Sequence, residues 1–157
     1  MTRLVLSLLA IMAFQTICYA KVTKLPADDQ KALREVARFH EILATTKLPS
    51  VIFAYCADGR GRLAEPGQKW EVTDCITDDK LPTKRLIWAV TDGEYYVVHY
   101  ECGGITHSYQ VLVAKLKAGD HKPGFVWHGF GDHIKDYNAF LDALGSDKLN
   151  DTRASAH

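Results

Sequence analysis

The chain has 157 residues, of which 47% are hydrophobic, and it sets 19 Lys and Arg against 19 Asp and Glu. That length suits one domain with its own core, and so large an apolar share excludes a disordered chain. The balanced charge excludes a broad electrostatic footprint for nucleic acid or for an anionic membrane surface.

Residues 1–20 read as an export signal. Arg3 is their single charge, an apolar run extends from Leu4 to Phe14, and the segment ends Cys18-Tyr19-Ala20. The run is too short to span a bilayer. Cleavage after Ala20 leaves residues 21–157 with a net charge of −1 and no membrane anchor. The expected location is periplasmic or secreted, where disulfides are permissible. Gln15-Thr16-Ile17 lacks the small residues that lipidation of Cys18 calls for. Cys56, Cys75 and Cys102 remain, an odd number that implies one disulfide plus a buried or reactive thiol, or an intermolecular bridge. Cys75–Cys102 is the expected bridge, with Cys56 as the alternative partner of Cys75.

Residues 21–145 form the expected domain, and 146–157 a polar flexible tail. Pro26-Ala27-Asp28-Asp29 starts a helix that runs to about Thr45, with Leu33, Val36, His40 and Leu43 at helical spacing. Leu48-Pro49 ends it. Residues 51–56 are an apolar, β-rich run that predicts a strand. A loop with Gly59, Gly61, Pro66 and Gly67 follows, and residues 70–76 alternate as a second strand.

Residues 85–91, the pair Asp92-Gly93 and residues 94–102 predict a hairpin, because Asp-Gly suits the positive φ of a tight turn. Gly103-Gly104 permits a second reversal into residues 105–117. Residues 125–130 add a further strand, and Asp132 caps a helix carrying Ile134, Tyr137, Phe140, Leu141 and Leu144, closed by Gly145. The expected fold is α+β: an antiparallel five- to six-stranded sheet flanked by an N-terminal and a C-terminal helix. The predicted core is Leu33, Val36, Leu43, Ile87, Val98, Tyr109, Val111, Phe140, Leu141 and Leu144.

Two-residue turns would set Val90 opposite Tyr95 and Glu101 opposite Thr106. One sheet face then carries Ile87, Ala89, Tyr96, Val98, Tyr100, Tyr109, Val111 and Val113. The other carries Trp88, Val90, Tyr95 and Val97 at one end, and His99, Glu101, Thr106, Ser108 and Gln110 at the other. A face so divided suits a groove or a partner-binding surface. Arg60 and Arg62, in the glycine-bearing loop, are candidate contacts for an anion or an acidic partner.

Three constellations have the residue types for chemistry. His99 and Glu101, two apart on one strand, pair an imidazole with a carboxylate for acid–base hydrolysis, although Arg85 falls on the opposite face in this register. Cys102 near His107 has the composition of a thiol nucleophile, but in an exported chain it reads better as half of a disulfide. His128, Asp132 and His133 are too few to build a metal site, so no metal and no cofactor are expected. No phosphate-binding loop, nucleophile elbow or zinc-protease helix appears. The expected function is therefore an exported small binding protein, an inhibitor or immunity-type protein acting on an envelope or secreted enzyme. Its expected partner is a protein. The alternative is a small secreted hydrolase using His99 and Glu101.

Overall fold

A computed structural model describes residues 25–74, 78–146 and 148–151. The segment expected to be an export signal, Cys75 and residues 152–157 lie outside the described residues. The chain forms α1 (Ala27–Leu33), β1 (His40–Glu41), α2 (Ser50–Cys56), β2 (Lys84–Thr91), β3 (Tyr95–Cys102), β4 (Ser108–Lys115), β5 (Phe125–Gly131) and α3 (Tyr137–Gly145). The strands make one antiparallel five-stranded sheet in sequence order, so the fold is α+β.

Both faces of the sheet are covered. Val90, Val97, Val111, Val113 and Trp127 pack with Leu33 of α1 and Tyr137, Phe140 and Leu141 of α3. Leu86, Ala89, Val98, Tyr100, Leu112 and Ala114 pack with Ile52 and Cys56 of α2. Burial of this apolar area is the main favourable term in folding. Among the described residues neither face of the sheet is left as a bare apolar surface: the apolar end of the divided face expected from sequence is covered by α1 and α3.

The long N-terminal helix is not formed. After Leu33 the backbone tightens, with the N–H groups of Arg34 and Glu35 bonding to the carbonyls of Lys31 and Ala32. The chain then turns to lay His40 and Glu41 against Thr91 and Val90, covering part of the outer edge of β2. Val36 and Leu43, placed in the core by helical spacing, are exposed. Pairing at a strand edge outweighs a weak helical period.

Residues 51–56 are helical rather than extended. Pro49 precedes the helix, the N–H of Phe53 bonds back to the Pro49 carbonyl, and Ile52 and Cys56, four apart, drop onto the sheet. A short apolar run carries no period of its own, so tertiary packing decides. Residues 70–74 are not a sheet strand either: Thr73 makes a single parallel bridge to Gly104. Among the described residues no disulfide forms, and Cys56 and Cys102 carry free thiols.

Both turns differ from the two-residue expectation. Residues 92–95 lie between the last paired residues of the first, Thr91 and Tyr96, Gly93 has φ +95°, and Asp92 Oδ1 accepts the N–H groups of Glu94 and Tyr95. Val90 faces Val97, a shift of two that leaves side-chain faces unchanged. The second connection spans residues 103–107 and sets Cys102 opposite Ser108 and Glu101 opposite Tyr109. That three-residue shift reverses the faces of β4, since side chains alternate. The final helix starts later than predicted, capped by Asp136, whose side chain accepts the N–H of Ala139 at 2.9 Å.

In β5 the Trp127 indole lies across Gly129, where a Cβ would collide with the ring. Gly129→Ala is expected to push the indole out of the core and lower stability by about 1–3 kcal/mol. Urea unfolding measures this, and an unchanged midpoint would show that the ring does not need the space.

Candidate functional site

The polar end of β3 gathers more chemistry than any other part of the described chain. A bulge between Leu86 and Trp88 is what assembles it. Beyond that bulge the register of β2 slips by one, so Arg85 stands directly opposite Glu101 and on the same face. The sequence register had placed Arg85 on the other side of the sheet.

Glu101 is buried and both its oxygens are engaged. Oε1 accepts Arg85 Nε at 2.6 Å, with Nη2 also at 2.6 Å. Oε2 lies 2.8 Å from Nε2 of His107. A carboxylate removed from water needs such partners, and two of them answer both lone-pair sides. Arg85 also donates to the Gln68 carbonyl, and its guanidinium sits 5.2 Å over the Trp70 ring. His107 packs 5.6 Å from Trp70 and 4.8 Å from Tyr109, and Tyr109 meets His133 edge-on at 5.4 Å. Nε2 of His107 is engaged with Glu101, and Nδ1 has no hydrogen-bond partner among the described residues.

His99 is not part of this pair. Its ring is fully buried, Nδ1–H donates to the Gln110 carbonyl at 2.9 Å, and Nε2 accepts the N–H of Ile134 at 3.1 Å. Burial lowers its pKa to about 4, against the opposing pull of the Gln110 carbonyl. A neutral imidazole with both nitrogens committed cannot shuttle protons. Its work is positional: Trp88 Nε1 donates to the Ile134 carbonyl at 2.8 Å, so His99 and Trp88 together hold both backbone groups of Ile134 and seat the approach to α3.

The remaining candidates disperse. Tyr95 is a core residue whose hydroxyl donates to Asp29 and accepts from Lys115. Gln110 lies on the α2 side, where its Oε1 accepts the Tyr100 hydroxyl. Ser108 pairs with Cys102 on that same side, and Thr106 is exposed in the 103–107 connection. Arg60 and Arg62 both donate to the Asp79 carbonyl, and Arg62 also pairs with Asp58. Burial pushes the Asp58 carboxyl up, but the N–H groups of Arg62, Thr83 and Arg60 and the Arg62 guanidinium together hold it below its ordinary value. That loop is tied down on itself rather than presented.

Cys102 lies on the α2 side, away from His107, and burial pushes its thiol up to about 11, so it is no nucleophile. His128 faces Tyr55 on the α2 side while His133 faces Tyr109 on the other. Among the described residues no group of three or more His, Cys, Asp or Glu is placed to hold a metal ion.

The 103–107 connection is pinned at several points. The N–H of Gly103 bonds to Thr83 O at 2.9 Å and that of Gly104 to Val72 O at 3.0 Å. A Cβ on Gly103 would collide with the carbonyls of Glu71 and Val72, so only glycine lets the two segments meet this closely. His107 anchors the far end through Glu101. Between these anchors Ile105 stands 91% exposed, beside Val72 at 41%.

The buried His99 sets a pH dependence. Between its ordinary value near 6.5 and its folded value of about 4, the unfolded chain binds a proton there that the folded chain does not. Stability is therefore complete above pH 6.5 and falls as pH drops, by at most about 1.4 kcal/mol per pH unit from this residue. His128, also lowered by burial, acts in the same sense. Urea unfolding at several pH values from 7 to 4 is expected to show a shallower slope in His99→Gln than in the parent, and equal slopes would mean that His99 is not held neutral. No protein-family model, curated protein or solved structure matches this chain, so the arrangement of these residues is what speaks for its function.

Proposed function

We propose that this is an exported binding protein, an inhibitor or immunity-type protein that engages an envelope or secreted enzyme through the 103–107 connection. The observation that carries the reading is Ile105, a fully presented isoleucine on a turn fastened at both ends. A surface isoleucine gains about 1.5–3 kcal/mol when a partner covers it. A turn already ordered in the free protein loses little entropy on docking, which is what separates a tight contact from a loose one. Val72 widens the apolar tip, and Trp70 and His107 flank its base. The near-neutral charge favours recognition by shape over long-range attraction. Residues 1–20 carry the signal-like pattern that supports export.

The decisive experiment is capture of a partner from periplasmic extract or culture supernatant by the parent protein and by Ile105→Asp. The parent is expected to retain one stoichiometric enzyme. The variant should bind it at least tenfold less tightly at an unchanged melting temperature, because Ile105 contributes nothing to the core. Retention by Ile105→Asp would move the contact surface elsewhere, and a parent that captures nothing would end the binding reading.

The 2.8 Å contact between His107 and Glu101 favours one second reading, a small secreted hydrolase in which His107 takes the place first given to His99. Glu101 would orient the ring, leaving Nδ1 as the base, and Tyr109 and His133 would border the substrate. In that case His107→Asn lowers a phosphodiester- or glycoside-hydrolysing activity by about 10²–10⁴-fold. A parent protein inert on both substrate classes rules it out.

A further inference from the structure

A groove of about 660 Å³, sharing no lining residue with the 103–107 connection, opens between α1, the end of α3 and residues 148–151. Its volume lies within the range of small-molecule sites. Trp127, Leu144 and Leu149 supply apolar wall, while Arg34 and Lys148 stand at the groove as two cations. Neither cation makes a side-chain hydrogen bond or ion pair among the described residues. Asp151 also lines the groove and is only 4% exposed. Its Oδ2 accepts Trp127 Nε1 at 3.0 Å, but its Oδ1 is buried without a partner. The other buried oxygen without a hydrogen bond, Oδ2 of Asp92, still has Arg38 at 2.8 Å, so Asp151 alone among the described residues buries a carboxylate oxygen with nothing to answer it. Such an oxygen is costly unless a donor reaches it.

We propose that this groove binds a small zwitterion, a free apolar α-amino acid. Its ammonium donates to Asp151 Oδ1, its side chain packs against Trp127, Leu144 and Leu149, and its carboxylate lies between Arg34 and Lys148. An unanswered buried anion, an apolar wall and two unspent cations call for one ligand carrying all three complementary parts. A purely apolar ligand would leave Asp151 unanswered, and a simple anion would be repelled by it.

The site is independent of the 103–107 turn, so its failure leaves the binding reading untouched, and the reverse holds. Isothermal titration with L-leucine and L-phenylalanine is the test, with N-acetyl-L-leucine and L-leucinamide as comparators. Saturable binding of at least one amino acid is expected, weakened at least tenfold when the amine is acetylated or the carboxylate amidated. Asp151→Asn is expected to abolish it. Arg34→Gln, a change at the protein surface that spares the core, is expected to weaken L-leucine about tenfold while leaving L-leucinamide unchanged, and it serves if Asp151→Asn does not fold. Absence of saturable binding by either amino acid up to about 10 mM, far weaker than ordinary metabolite sites, overturns the proposal, as does equal affinity for N-acetyl-L-leucine.

Discussion

A central strand covered on both faces offers its polar side chains no water, and β3 buries an imidazole and a carboxylate, His99 and Glu101. Much of the surrounding architecture answers that constraint. Val97 and Val98, on opposite faces, are both fully buried, so helices must close the sheet from two sides. His99 and Glu101 are buried with them and have to be satisfied by specific neighbours. His99 takes a carbonyl from β4 and an N–H from the approach to α3. Glu101 takes a guanidinium from β2 and an imidazole from the end of the 103–107 connection. His99 and Glu101 thereby each fasten segments outside their own strand.

The two solutions differ in what they leave for function. At His99 the imidazole is enclosed and spent, and its contribution is the placement of Ile134 and, through it, of α3. At Glu101 the carboxylate is enclosed, but its partners reach the surface: Arg85 and His107 are each about a third exposed. A buried anion that holds two surface groups in fixed positions makes a rigid rim, and the exposed tip at Ile105 rises from it. Rigidity at that rim is useful to a binding turn and to an acid–base pair alike. The proposed binding reading rests on the tip, because an exposed isoleucine gains by being covered in an interface and has no part in hydrolysis.

Reading the sheet from sequence succeeded where local chemistry was strong and failed where one residue of register mattered. The hairpin at Asp92-Gly93, a strand over residues 125–130 and the closing helix with Tyr137, Phe140 and Leu141 were legible from turn residues and periodicity. Helix α2 was not, since the six-residue apolar run at 51–56 fits a strand as well as a helix until something packs on it. The candidate site suffered most. Glu101 and Arg85 are both visible in the sequence as charged candidates, yet a two-residue second turn and an unbulged β2 put Arg85 on the wrong face and supply Thr106 and Ser108 where Tyr109 and His107 belong.

The sequence by itself determined the α+β class, the antiparallel meander in its second half and the apolar residues that drive its collapse. Alternation, turn formers and helical spacing are local properties, and a local pattern is enough to specify them. Only the tertiary structure decided which side chains meet. Face assignment depends on the parity of every pairing, so one bulge at β2 and three extra residues in the 103–107 connection redirect whole rows of side chains. Those irregularities arise where the backbone accommodates distant contacts, among them Arg85 on Glu101 and Gly103 against Glu71 and Val72, and contacts of that kind have no signature in the neighbouring residues.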